Sequence, residues 1–227
     1  MKTAVWLPLA ALCLQGKEAP KFAICLLADR LKPAVSVFHT PDSAGQPIKF
    51  EESIRPLRGL ALRLSQDAFQ AGPGLVSFDA TYRFRSGSAS RHLVNGESDA
   101  YMFLPKDQIG YSYLALGGEW SFRRTLEGGL GAEARMEGLD RRREFSSMDP
   151  NLPAFVSENQ SHQVRPWLRT HVAYNSAGIR LHPFLRVEAA WALTRRKMLD
   201  PLPMALGNDL RPFAPQFQIA LAGGIRL

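Results

Sequence analysis

The chain has 227 residues, of which 45% are hydrophobic and 22% charged, and this composition argues against an intrinsically disordered protein. A mean hydropathy of −0.16 excludes a bundle of membrane-spanning helices. The formal net charge of +7 would suit nucleic acid, but the arginines alternate with apolar residues instead of clustering, so we expect an anionic lipid surface as the partner.

The N-terminus predicts export. Lys2 precedes an apolar run that continues to Leu14, which is too short to span a bilayer and has the form of a secretory signal. We place the signal peptide at residues 1–16 and the mature domain at 17–227. A lipoprotein signal ending at Cys13 and a buried N-terminal helix are the alternatives. Removal of the signal leaves Cys25 as the only cysteine, so no intrachain disulfide is expected.

The mature sequence predicts about eight β-strands. A weak opening strand lies within 29–39, and six segments with a two-residue alternation of apolar and polar side chains follow. A final strand ends at Leu227. The six central segments are 54–65, 76–85, 114–123, 126–137, 164–174 and 179–193.

The connections between these segments alternate in length. Short turns are predicted at 123–125 and 175–178, with a modest loop at 66–73. Long polar connections are predicted at 40–47, 86–108, 144–161 and 195–212. This pattern is typical of a transmembrane barrel with short periplasmic turns and long extracellular loops.

The final strand has one apolar face that runs to the last residue. A terminal strand normally frays unless it is paired, so we expect this one to close a barrel, pairing with the 179–194 strand and with the opening strand. Its polar face carries Gln216, Gln218 and Arg226. The residues expected to face lipid are Phe217, Ile219, Leu221, Ile225 and Leu227.

Alternation alone does not separate a membrane barrel from a soluble barrel that binds an apolar ligand. The predicted export, the small residues among the charges of the polar face, and large aromatics near strand ends favour the membrane. The aromatics are Phe84, Trp120, Phe122, Tyr174 and Trp191.

The signal at 1–16, the alternation across 54–193 and the terminal strand together resemble the small bacterial outer-membrane β-barrels of the eight-stranded OmpA, OmpX and OmpW type. The final residue differs, because Leu227 stands where that family usually has an aromatic residue. The resemblance implies an all-β, antiparallel up-and-down barrel in the bacterial outer membrane, placed there by the outer-membrane assembly machinery. It also implies that this machinery reads the terminal strand as its assembly signal, with the residues Phe217, Ile219, Leu221, Ile225 and Leu227. It implies a location and a fold, but no activity.

The polar face predicts a lumen filled with charge. An eight-stranded barrel has an interior just wide enough for side chains, so buried arginines and carboxylates must pair with one another. We expect a plug of ion pairs, with a narrow anion-permeable pore as the alternative. The predicted network comprises Arg63, Asp79, Arg83, Glu127, Glu133, Arg135, Arg165, Arg169, His171, His182, Arg186 and Glu188.

A turn centred on Ser176-Ala177 would set the register of the 164–193 hairpin. Arg165 would then face Glu188, Trp167 would face Arg186, and His171 would face His182. Two histidines invite a metal hypothesis, but no third ligand is evident, so no metal and no cofactor are predicted.

We expect a monomeric, non-enzymatic protein with a structural or surface-interaction role. A lipid-modifying acyl enzyme is the alternative from another class, but Ser161 beside His162 is not a recognisable catalytic motif. Three consecutive arginines, Arg141 to Arg143, lie where a strand would leave the membrane and could contact lipopolysaccharide phosphates. No nucleic-acid partner is expected.

Overall fold

The computed structural model describes residues 22–33, 36–41, 47–86, 91–94, 106–122, 125–145, 155–176, 181–196 and 214–227. These residues form eleven strands and no helix, and therefore none of them forms a helix long enough to cross a membrane. The strands are β1 (Phe22–Pro33), β2 (Ser36–Pro41), β3 (Pro47–Ile54), β4 (Leu57–Ala71), β5 (Gly74–Arg83), β6 (Arg91–Val94), β7 (Lys106–Phe122), β8 (Leu126–Phe145), β9 (Phe155–Asn175), β10 (His182–Ala192) and β11 (Pro215–Arg226).

Eight of these strands close into an antiparallel barrel in the order β1-β11-β10-β9-β8-β7-β5-β4, and β4 pairs with β1. The predicted all-β up-and-down barrel is therefore confirmed. The final strand pairs with β10 and β1, as expected. The end that carries the connections 72–73, 123–125 and 176–181 is called the turn end, and the opposite end is called the loop end.

The stagger of the barrel follows from its registers. Paired residues lead once around the wall from Lys32 on β1 back to Phe22 on the same strand, ten positions lower. For eight strands this stagger implies a tilt of roughly 40° from the barrel axis and an interior that side chains fill. The path runs through Phe217, Trp191, Leu168, Ala132, Gly118, Phe78 and Gln66.

The outer wall is apolar, the reverse of a soluble barrel. On β8 the outward residues from Leu126 to Met136 are apolar or glycine, and Leu130 between them is 64% exposed. Eleven residues match the roughly 9–11 needed for a tilted strand to span a bilayer. On β11, Ile219, Leu221, Ile225 and Leu227 are exposed in the same way. Phe217 is half-buried against Trp191, with ring centroids 5.4 Å apart.

The opening strand begins earlier than predicted. It covers Phe22–Pro33 instead of a stretch within 29–39, and its inward residues are Ala23, Cys25, Leu27, Asp29 and Leu31. Most residues on both faces of this strand are apolar, so the two-residue alternation was hidden. The closed barrel reveals it because both neighbours of β1 fix which face is the lumen.

The loop end contains strands that the sequence did not predict. β2, β3 and β6 form a separate three-stranded sheet that includes part of the expected loops 40–47 and 86–108. β8 and β9 remain paired up to Phe145 and Phe155, well beyond the apolar part of the wall. Residues 144–145 and 155–161 of the expected loop therefore belong to paired strands, and the residues between them lie outside the described part. The predicted signal peptide, residues 1–16, lies outside the described residues.

Candidate functional site: the charged lumen

The inward positions of the barrel bring together the predicted charge network. Eleven of the twelve predicted residues are buried in the lumen; the twelfth, His182, is exposed at the turn end. The buried set comprises Arg63, Asp79, Arg83, Glu127, Glu133, Arg135, Arg165, Arg169, His171, Arg186 and Glu188.

The centre of the lumen is a set of arginines that share carboxylates. The Arg63 guanidinium donates to both oxygens of Glu188, at 2.5 and 2.9 Å. Arg169 Nη1 lies 2.9 Å from Asp79 Oδ1 and 2.9 Å from Glu133 Oε2. Each of these groups is almost fully excluded from solvent, so the pairs satisfy charges that would otherwise be costly to bury.

Arg186 extends this cluster toward the turn end. It donates to Glu119 Oε1 at 3.0 Å and to Glu188 Oε2 at 2.7 Å. Glu188 therefore accepts from Arg63 and Arg186 together. Such sharing links strands that are not neighbours, because Arg63 lies on β4 and Glu188 on β10, with β1 and β11 between them.

A second group of pairs lies toward the loop end. Arg83 donates to Asp29 Oδ2 at 2.7 Å and to the Tyr111 carbonyl at 2.6 Å. Sequence reasoning missed Asp29, because the first strand was placed too late in the chain. A lone carboxylate in an otherwise apolar stretch was the available signal. Gln218 Nε2 also donates to Asp29, at 3.1 Å, so the terminal strand takes part in this group.

Glu137 receives three donors from one neighbouring strand. Arg165 donates to its two oxygens at 2.6 and 3.1 Å, and Trp167 Nε1 donates to Oε1 at 2.7 Å. Arg135, which also bonds Glu133, stacks over the rings of Trp167 and Tyr113, at 3.9 and 4.3 Å from their centroids. Trp167 therefore stacks with Arg135 and not with Arg186, the residue that it was predicted to face.

The register observed between β9 and β10 differs by six residues from the predicted one. His171 pairs with Glu188, not with His182, and Arg165 does not face Glu188. The connection between β9 and β10 is longer than the predicted turn, and Ser176 N donates to the Pro183 carbonyl at 2.9 Å across it. Because six is an even number, the displacement leaves every inward residue of both strands inward.

His171 instead lies between two carboxylates. Its Nε2 is 3.0 Å from Glu127 Oε1 and its Nδ1 is 3.4 Å from Glu119 Oε2. In the described part of the chain, this trio is the one group of at least three side chains whose ligand atoms lie within 4.8 Å of one another. A bound metal ion would have to displace Arg186 from Glu119 and Arg226 from Glu127. The arrangement therefore favours an ion-pair cluster over a metal centre.

Little free space remains between these side chains. A cavity of about 20 Å³ lies among Arg63, Asp79, Glu119, Arg169 and Arg186. This volume holds about one water molecule. At this position the arginines and their shared carboxylates therefore leave room for about one water molecule.

The loop end has a larger cavity of about 370 Å³, whose lining includes Arg85, Asp140, Arg142 and Glu158. Arg85 is exposed beside this cavity and pairs with Asp140 on β8. This hydrogen-bonded pair raises the pKa of Arg85. The three consecutive arginines are divided between two faces, because Arg141 is buried and Arg142 is exposed; the side chain of Arg143 lies outside the described part.

The serine and histidine considered for catalysis do not form a pair. Ser161 and His162 are consecutive on β9 and therefore point to opposite faces. The Ser161 hydroxyl accepts from Arg196 at 3.2 Å, and His162 is exposed. The side chains of His39 and His92 lie outside the described part of the structure.

No protein-family model and no curated protein matches the chain. Among solved structures, a major outer membrane protein from Thermus thermophilus matches with 13% identity and a TM-score of 0.50, over 92% of this chain and 100% of that one. Neisserial surface protein A matches with 11% identity and a TM-score of 0.42, over 94% and 99%. Ail, the attachment invasion locus protein of Yersinia pestis, matches with 10% identity and a TM-score of 0.43, over 92% of this chain and 97% of that one. The fold is that of the small outer-membrane β-barrels.

Proposed function

We propose that this chain is a monomeric outer-membrane barrel whose lumen is closed by its own ion pairs, and that it anchors loop-end strands at the cell surface in a non-enzymatic interaction role. The observation that carries the proposal is the combination of an apolar outer wall with an interlocked network of buried charges. The turn end would then face the periplasm and the loop end the cell exterior.

The closed lumen is supported by how its charges are used. A conducting lumen needs water and charges that a passing ion can approach. Here Arg63, Arg169 and Arg186 are each bonded to one or more carboxylates and are nearly inaccessible to solvent. Moving an ion through this layer would require several buried pairs to separate at once, which is costly in a medium of low dielectric constant.

The surface role is supported by the length of the loop-end strands. On β8, nine residues follow Met136, the last apolar residue of the outer wall, and they remain paired with β9. At about 3.3 Å per residue this hairpin extends roughly 30 Å along the strand beyond the lipid band. It carries polar side chains on its outward face, including Asp140, Arg142 and Gln160.

Single-channel recording of the refolded protein in planar bilayers tests the closed lumen. We expect no conductance above background. A double variant, Arg63→Ser with Glu188→Ser, removes both partners of one central pair and should admit measurable current, which shows that the assay can detect an open lumen. Defined conductance steps in the unmodified protein would contradict the plug, and anion selectivity of those steps would favour the narrow-pore alternative.

Cell fractionation together with gel migration before and after heating tests the location. A barrel of this kind should partition with outer-membrane material and migrate differently once heat unfolds it. Recovery in the soluble fraction without a heat-dependent shift would contradict the membrane assignment.

A further inference from the structure

The loop end of the outer wall carries three cations on neighbouring positions. Arg30 on β1 lies directly opposite Arg58 on β4, and Lys32 is two residues further along β1. All three side chains are exposed on the lipid-facing side of their strands. We call Arg30, Lys32 and Arg58 the outer-wall cation patch.

Two arginines opposite each other on adjacent strands repel. Directly paired residues have Cβ atoms about 4.5–5.5 Å apart, and like charges in that position destabilise a sheet. Within the described part of the chain, neither arginine makes a hydrogen bond or an ion pair, and Lys32 makes none either. The lumen of the same barrel pairs its arginines with carboxylates. An anion bound between the two guanidinium groups would offset this repulsion, which the described strands leave uncompensated.

Aromatic residues fix the depth of the patch. Lys32 lies opposite Phe217, whose ring contacts Trp191 on β10. On the other flank, Tyr82 of β5 and Phe84 just after that strand stack edge to face with centroids 5.2 Å apart. Aromatic side chains of this kind gather at the level of the lipid headgroups. The patch lies between the two aromatic pairs and therefore at the height where lipid phosphates are found.

We infer that the outer-wall cation patch binds a phosphate group of an outer-leaflet lipid, held between the guanidinium groups of Arg30 and Arg58, with Lys32 as an additional positive charge. Two planar guanidiniums can each donate paired hydrogen bonds to phosphate oxygens, which makes arginine well suited to this role. The inference rests on the proposed membrane location, and it is independent of whether the lumen conducts.

The run Arg141 to Arg143 does not offer the same site. Arg141 is buried, and Arg142 lies beyond the apolar band with Glu158 Oε1 at 3.6 Å from its Nε. Arg142 is exposed and on the outer face like the patch residues. The substitution Arg142→Gln is therefore a matched control. It removes an equal charge that lies at a different depth and already has a carboxylate neighbour.

The test uses full-length protein refolded in a non-ionic maltoside micelle and titrated with lipid A that carries two phosphates. Lipid A from which both phosphates have been removed, and inorganic phosphate alone, are titrated in parallel. The proteins are the unmodified chain, the double variant Arg30→Gln with Arg58→Gln, and the control Arg142→Gln. Isothermal titration calorimetry gives the affinity, and heat-dependent gel migration verifies that each protein is folded.

We expect the unmodified protein and Arg142→Gln to bind the phosphorylated lipid at least about tenfold more tightly than the dephosphorylated lipid. The double variant should lose this preference. Preference for inorganic phosphate over phosphorylated lipid A would overturn the lipid as ligand. Retention of full phosphate preference by a folded double variant would overturn the site, as would an equal loss in Arg142→Gln.

A second readout separates binding from a structural role. Without phosphorylated lipid, removing the two charges relieves repulsion, so the double variant should unfold at the same or a higher temperature than the unmodified protein. With phosphorylated lipid, the order should reverse, because only the unmodified protein gains stability from the ligand. A double variant that unfolds earlier in both conditions would contradict the inference. A failure of the membrane assignment would appear in the fractionation experiment instead.

Discussion

The lumen and the outer wall of this barrel are built by the same strands, yet they treat charge in opposite ways. In the lumen, Glu188 on β10 pairs with two arginines: Arg63 on the non-neighbouring strand β4, and Arg186 two residues earlier on β10 itself. On the outer wall, Arg30 and Arg58 face each other with no carboxylate partner in the described chain. The described strands therefore supply counter-charges to the lumen arginines but none to Arg30 and Arg58.

This difference teaches that the dielectric environment, not the residue type, determines what a charge does in the fold. A guanidinium in the packed interior must be paired by the chain, because no solvent reaches it. A guanidinium at the headgroup level can be paired by lipid. Three matched pairs of substitutions probe the difference between the lumen and the outer surface.

The largest effect is expected from removing one lumen charge. Arg169→Met leaves Asp79 and Glu133 without a shared donor, since both lie 2.9 Å from its Nη1. An uncompensated buried charge costs about 3–5 kcal/mol, so the free energy of unfolding should fall by that amount. Urea titration of the protein refolded in lipid vesicles measures it. The exposed Arg142→Met should change stability by less than about 1 kcal/mol, and equal losses in the two variants would remove the distinction between lumen and surface.

An intermediate effect is expected from adding a charge to the outer wall. Leu130 is 64% exposed and lies about midway between Leu126 and Met136 on β8. Leu130→Arg should therefore cost about 2–4 kcal/mol, because the new charge faces the middle of the bilayer. Leu193→Arg places the same charge near the loop end and should cost about 0–1 kcal/mol. The same urea titration compares them, and a cost that does not depend on depth would argue against this wall facing lipid.

The smallest effect is expected from adding one methyl group at adjacent positions. A Cβ on Gly117 would lie 2.8 Å from the Ala132 carbonyl oxygen and 2.8 Å from Glu133 Cβ, in the packed lumen. A Cβ on Gly118, on the outer face, would meet nothing closer than 3.6 Å. Gly117→Ala should destabilise the barrel by roughly 1–3 kcal/mol, whereas Gly118→Ala should be neutral or stabilise it by up to about 1 kcal/mol. A thermal unfolding series monitored by gel migration would show the difference, and a larger loss for Gly118→Ala would reverse the assignment of the two faces.

The sequence by itself determined which side of each central strand faces inward. Arg169, Glu133 and Glu188 were assigned to the lumen from alternation alone, and all three are buried there. This works because the side-chain period of a strand is two, so the face of a residue is a local property. The apolar face of the last strand, with Ile219 and Leu221, was found for the same reason.

Only the tertiary structure decided which charges meet. His171 was expected opposite His182 and instead pairs with Glu188, because the β9–β10 connection is centred three residues further along the chain than the predicted turn. Register depends on turn length and on closure of the whole ring, and a shift by an even number of residues preserves every face while changing every partner. Asp29 entered the network only because β11 and β4 fix the position of β1 from both sides. The local pattern therefore encodes the two surfaces, and the closed barrel selects the contacts between them.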